Sequence, residues 1–162
     1  MEFRKMRRFR QQLSKSECER ILSESTAGTL ALLGDNGYPY AVPISYVYCE
    51  EKIYFHSAKD GHKVDAIRNY EKASFCVIAA DDVRPSEFTT YFRSIIAFGR
   101  IHIVESEEEK AYAATLLGAK YNPDDKAGLQ EEIEKGLPHM LVFRLDIEHL
   151  TGKEAIEITK NR

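Results

Sequence analysis

The chain has 162 residues and a formal net charge of −3, which suits one domain with its own core and leaves no basic excess for nucleic acid. Its three cysteines, Cys18, Cys49 and Cys76, form no C-x-x-C pair, which argues against a disulfide framework or a zinc knuckle and for a reducing setting. No apolar run reaches the roughly 18 residues of a membrane span and no signal-peptide pattern is present, so a cytoplasmic location away from membranes is expected.

The first segment, residues 1–12, is a basic arm around Arg4-Lys5-Met6-Arg7-Arg8-Phe9-Arg10 and is expected to be solvated. Ser14 and Glu17 then make a capping box, with Leu13 placed to staple onto Cys18. Cys18, Ile21 and Leu22 continue at helical spacing. After Gly28 the period changes, and residues 29–33 read as a strand. Asp35-Asn36-Gly37 supplies a hairpin turn, because Asn and Gly tolerate positive φ. A second, long strand is expected over 38–48, with Pro39 and Pro43 confining it to an edge or a bulge. Glu50-Glu51 turns the chain into a third strand at 52–56. A helix over 61–70 follows, then a fourth strand at 73–80 and a fifth at 94–104.

The residues between them, 81–93, lack clear periodicity and carry Phe88, Tyr91 and Phe92, so they read as a long loop packed near a ligand. Ser106 and Glu109 form a second capping box for a helix that buries Ala113, Leu116 and Leu117 and ends at Gly118. A weaker helix over 126–135 and a last strand over 140–147 complete the series, and residues 154–162 read as a frayed tail. About six strands in consecutive pairs favour an antiparallel α+β sheet or barrel over a doubly wound fold, and no G-x-G-x-x-G or Walker loop is present. One domain spanning 1–162 is expected.

The run His56-Ser57-Ala58-Lys59-Asp60-Gly61-His62-Lys63 joins a strand to a helix. Lys59, His62 and Lys63 crowd a helix N-terminus, the positive end of the dipole. An anion between them resolves that conflict, and free N–H groups, a serine hydroxyl and a lysine would converge on a phosphate. The alternative is a solvated turn with its lysines pointing outward. In the neighbouring strand, Pro43 leaves ladder groups of Val42-Pro43-Ile44-Ser45 free for a planar polar ligand, or simply protects an edge. The five histidines show no metal-binding spacing, and no metal site is expected.

Four segments, taken in order, resemble the FMN-binding flavoproteins related to pyridoxamine 5′-phosphate oxidase, of the nitroimidazole-resistance type. They are Gly37-Tyr38-Pro39-Tyr40-Ala41-Val42-Pro43-Ile44-Ser45-Tyr46-Val47-Tyr48, Lys52-Ile53-Tyr54-Phe55-His56-Ser57-Ala58 with Gly61-His62-Lys63, Tyr91-Phe92-Arg93-Ser94-Ile95-Ile96-Ala97-Phe98-Gly99, and Thr151-Gly152-Lys153. The resemblance implies a mainly β (α+β), antiparallel six-stranded split β-barrel with peripheral helices, and a homodimer with FMN at its interface. It implies that His56 lies beside the flavin as the catalytic candidate and that Pro43, Ile44 and Ser45 line the ring. Ser57 and Ala58 would contact the ribityl chain or phosphate, His62 and Lys63 would hold the phosphate, and Tyr91, Arg93 and Ser94 would complete the site from the same or the partner subunit.

The function implied is a flavin-dependent reductase of a small molecule, with NAD(P)H as the expected donor and nitro compounds as one substrate class. The alternatives are a non-enzymatic flavin carrier or sensor, and a barrel that hosts haem or a deazaflavin.

Overall fold

The computed structural model describes residues 2–162; Met1, the first residue of the basic arm, lies outside them. The first helix, α1 (Lys15–Glu24), starts where the capping box places it: the Ser14 hydroxyl accepts the Glu17 N–H, and the Glu17 carboxylate accepts the Ser14 N–H. Strand β1 (Ala27–Leu33) turns through Asp35-Asn36-Gly37, with Asn36 and Gly37 at positive φ, into β2 (Pro39–Ser45). The long second strand expected over 38–48 breaks at Tyr46, and β3 (Val47–Cys49) is separate. Glu50 and Glu51, both at positive φ, turn β3 into β4 (Lys52–Ser57).

Helix α2 (His62–Asn69) leads to β5 (Lys72–Arg84), which pairs with β6 (Thr89–Ile103). Helices α3 (Glu107–Tyr121) and α4 (Lys126–Gly136) precede β7 (Leu141–Glu154) and the short α5 (Ile156–Lys160). The expected six-stranded barrel is a seven-stranded antiparallel sheet, order β2-β1-β5-β6-β7-β4-β3, not closed by a ladder. Its two margins, β2 and β3, are consecutive in the chain and joined only by Tyr46. Pro39 and Pro43 therefore do lie on an edge strand, where a missing donor is harmless.

Side chains from α3 hold the corner at Tyr46. The Tyr121 hydroxyl accepts the Tyr46 N–H at 3.0 Å, and the Lys120 ammonium donates to the Tyr46 carbonyl at 3.0 Å and to that of Ser25. The Tyr46 hydroxyl donates to the Leu22 carbonyl of α1 at 2.7 Å. Burial pushes the Tyr46 phenol up and the Lys120 ammonium down from their ordinary pKa values.

One face of the sheet buries Leu30, Phe55, Phe75, Val77, Ile95 and Phe143 against α1 and α2. On the opposite face α3 covers only the β3-β4-β7 side, where Ala113 and Leu117 meet Val47, Tyr54 and Val142. The rest of that face, across β2, β1, β5 and β6, has no helix over it: Ile78 is 69% exposed, and Ile96 and Phe98 are part exposed, with Phe3 of the basic arm against Phe98.

Several expectations need correction. Residues 81–93 are not a loop: β5 and β6 run on as a hairpin paired from Ala80↔Arg93 to Arg84↔Thr89. Residues 81–84 are exposed on both faces and residues 89–94 half-buried throughout, so no apolar alternation marks the arm, and Phe88 at its tip is 96% exposed. Gly118 does not end α3; it sits beneath Leu129, where an added Cβ would lie 1.9 Å from Leu129 Cδ1, and so lets α3 and α4 approach. At Ser106 only half of the second box forms, the hydroxyl accepting the Glu109 N–H. The last strand extends to Glu154 and includes Thr151-Gly152-Lys153. The tail is helical, and Arg162 pairs with Glu17 and Glu154. The basic arm is mostly solvated, but Phe3 stacks on His149 with ring centroids 4.6 Å apart, and buried Gln11 donates to the Glu154 carbonyl.

Candidate functional site

The segment between β4 and α2 meets the structural requirement for an anion. Gly61, at φ +128°, is the N-cap of α2 and offers no side-chain cap. The only local bond at this turn is Asp65 N–H to the Gly61 carbonyl, so the first amides of the helix have no side-chain acceptor. Nothing lies within 4 Å of where a Gly61 Cβ would be, which leaves open space at the positive end of the helix dipole. Lys59 and Lys63 make no ion pair among the described residues. The chain elsewhere pairs its Arg84, Arg93, Arg100, Arg144 and Arg162 with carboxylates.

His62 is placed differently. Its Nε2 accepts the Asp35 N–H at 3.3 Å, and its ring stacks on Tyr40 with centroids 4.0 Å apart. The imidazole thus braces the β1–β2 turn and keeps only Nδ1 for anything else. Ser57 and His56 point to opposite faces, as neighbours on a strand must. Ser57 is buried, Ala58 is exposed in the turn, and His56 is exposed on the face that α3 partly covers. On β2, Pro43 and Ser45 are exposed while Ile44 packs on the core.

His56 and Ser45 come together in an open cleft of about 370 Å³ under α3 and α4, walled by Leu117, Ile133 and Met140 and floored near Tyr121. A larger groove of about 710 Å³ lies between α2 and α3, lined by Arg68, His102, Glu109 and Arg144. Its charges are largely spent on one another: Arg144 bridges Glu109 and Asp146, and the Tyr54 hydroxyl donates to Glu109. Burial and that carboxylate push the Tyr54 phenol up from its ordinary pKa. The smaller cleft, which brings the exposed His56 and Ser45 together, is the better site despite its size.

Tyr91, Arg93 and Ser94 are not at this cleft. His56 pairs with Val142 and Arg93 with Glu154, twelve residues apart on β7, or about 40 Å of strand. Arg93 donates to the buried Glu154 carboxylate through Nε at 3.2 Å and Nη2 at 2.9 Å. Tyr91 donates to Glu87 at 2.8 Å beneath Arg84. Ser94 faces the bare side of the sheet, paired with Ile78 and Lys153.

Leu117, Tyr121, Ile133 and Met140 were not expected at the site. Leu117 stood out in the sequence as a buried helical position, but periodicity cannot show that a helix inserted between two strands also roofs a cleft beside a third.

The family model described as pyridoxamine 5′-phosphate oxidase matches residues 14–154. No curated protein matches the chain. Among solved structures, a candidate 5-nitroimidazole antibiotic resistance protein from Bacteroides thetaiotaomicron superposes with a TM-score of 0.76 at 20% identity, over 88% of this chain and 86% of that one. An FAD- and haem-binding protein from Mycobacterium smegmatis gives 0.78 at 23% identity, over 90% and 73%. An FAD-binding protein from Mesorhizobium loti gives 0.61 at 25% identity, over 89% and 96%.

Proposed function

The chain belongs to the pyridoxamine 5′-phosphate oxidase family, and we propose that it binds FMN as a split-barrel flavoprotein and works as a flavin-dependent reductase of a small molecule. The observation that carries this reading is the uncapped N-terminus of α2, open at Gly61 and flanked by the unpaired Lys59 and Lys63. A phosphate there would accept the free amides and a charge-assisted bond from Lys63. The ring would lie toward His56 and toward Pro43 and Ser45, whose edge strand β2 leaves backbone groups for its polar rim.

When bound, the flavin supplies hydride and electron transfer; the chain supplies placement and a proton. The His56 imidazole makes no hydrogen bond among the described residues, so it is free to donate to a substrate in the cleft or to accept from it. That cleft is open to solvent beside His56, which favours an enzyme over a carrier or sensor, since a sealed ring would have nothing to reduce.

A homodimer belongs to the same proposal. The bare apolar face across β1, β5 and β6 would be covered by a second copy. Tyr91 and Ser94, about 40 Å along the sheet from His56, would then reach the flavin only from the partner subunit. NAD(P)H is the proposed donor.

A second reading, haem, is favoured by one feature: His56 and Met140 share an apolar cleft, and imidazole and thioether both ligate haem iron.

The test is an absorbance spectrum of the purified protein with FMN and riboflavin titrations, and sedimentation of the apo and loaded forms. The expected result is a flavin spectrum, FMN binding at least about tenfold tighter than riboflavin, and a dimer strengthened by FMN. Equal affinities would sink the phosphate site, a Soret band would install haem, and a monomer with full FMN affinity would remove the shared site.

A further inference from the structure

The cleft beside His56 is built by the two helices inserted between β6 and β7, and its chemistry is one-sided. Leu117, Ile133 and Met140 make the walls apolar. Among the described residues, the ionisable groups facing it are His56, the Tyr121 phenol and, at the rim, the exposed Glu132 carboxylate. The Tyr121 hydroxyl is engaged with the backbone of Tyr46 and Thr26. No lysine or arginine among the described residues lines the space, so an anion entering it would lose water, meet apolar walls and face Glu132. The volume, about 370 Å³, lies at the small end of small-molecule sites, which run from roughly 300 to 1,000 Å³.

Gly136 points the same way. Its backbone, φ −83° and ψ −31°, is ordinary helical geometry that any residue adopts. A Cβ there would stand 3.0 Å from Met140 Cε, the flexible end of a cleft-lining side chain. The glycine is therefore not required by the turn; it keeps volume free at the cleft.

We propose that this cleft is the substrate pocket and that it selects a compact, uncharged, largely apolar molecule carrying one hydrogen-bonding group for His56. The pocket's role in turnover rests on the flavin reading above, whereas its preference for neutral ligands does not.

The test is calorimetric titration of the full chain, apo and FMN-loaded, at neutral pH with two probes of similar shape, 2-naphthol and the anionic 2-naphthoate. The expected result is at least about tenfold tighter binding of 2-naphthol in both forms. Gly136→Leu should lower 2-naphthol affinity by about tenfold or more and leave FMN affinity within about twofold. Gly136→Ala, a smaller intrusion that puts no strain on the backbone, should give an intermediate loss. Equal affinity for the two probes, or 2-naphthol binding untouched by both variants, overturns the proposal. So does a parallel loss of FMN affinity in Gly136→Leu, which would mean that the cleft holds the flavin ring. A wild-type chain that binds the probes as expected but no FMN overturns the flavin reading and leaves the neutral-ligand pocket standing.

Discussion

The two ends of β7 treat positive charge in opposite ways. Near Leu141, the turn from β4 into α2 presents Lys59 and Lys63 without carboxylate partners, at a helix end that repels cations. Near Glu154, two arginines share one buried carboxylate. Glu154, 2% exposed, receives Arg93 and Arg162, with the Thr159 hydroxyl at 3.1 Å, and Arg162 reaches on to Glu17. A basic residue that is paired within its own chain serves the fold; one left unpaired against an unfavourable dipole is available to a ligand. Lys63 was expected to hold the phosphate and Arg93 to complete the site from the same or the partner subunit, and the sheet register separates the two within one chain.

Arg93→Ala should break the contrast most severely. It leaves the buried Glu154 carboxylate with Arg162 as its only cation, and stability should fall by about 3 kcal/mol in urea unfolding. A variant that keeps its stability but loses FMN affinity would return Arg93 to the ligand site.

Lys63→Ala should act at the other end and in the other observable. FMN affinity should drop by about tenfold to a hundredfold, or roughly 1.5–3 kcal/mol, in a flavin titration. Unfolding of the apo chain should hardly change, because the lysine makes no ion pair there. A large loss of apo stability with unchanged FMN affinity would make Lys63 structural.

The smallest effect belongs to Glu17. The Ser14 N–H, Arg162 and the Ser14 hydroxyl hold its carboxyl down to about 2. A depressed folded pKa stabilises above the unfolded value of 4.5 and is lost as pH falls from there toward about 2. Glu17→Gln should therefore cost a few tenths to about 1 kcal/mol at neutral pH and flatten the acid limb of stability over that window. Parallel urea curves for the two proteins at each pH would show the carboxyl to be idle.

What could be read from the sequence alone follows from how local each cause is. The Ser14–Glu17 box, the Asn36-Gly37 turn and the edge prolines are decided within a few residues, and they stand where expected. The β5–β6 arm escaped notice because neither of its strands has one face buried and the other exposed, so nothing makes it alternate. The far half of β7 escaped for a related reason: Glu148, His149 and Lys153 break its pattern on a half-covered face. At the site, the crowding of cations at α2 was visible as a conflict between charge and dipole. That His62 is diverted to Asp35 and Tyr40 was not, because both lie across a hairpin more than twenty residues earlier.

The break at Tyr46 also sets the order in which the chain can be assembled. The β1–β2 and β3–β4 hairpins close through short turns and stand one residue apart, yet they finish at opposite margins of the sheet. The three strands that separate them all come later, and β4 finds its second neighbour only in β7, at residues 141–154. A chain emerging from the ribosome thus carries two finished hairpins, each with an open edge, and must thread three strands between them. Contacts of that sequence separation form slowly, and until β5 covers β1 and β7 covers β4 the inner edges of the two hairpins are templates for any other strand in reach.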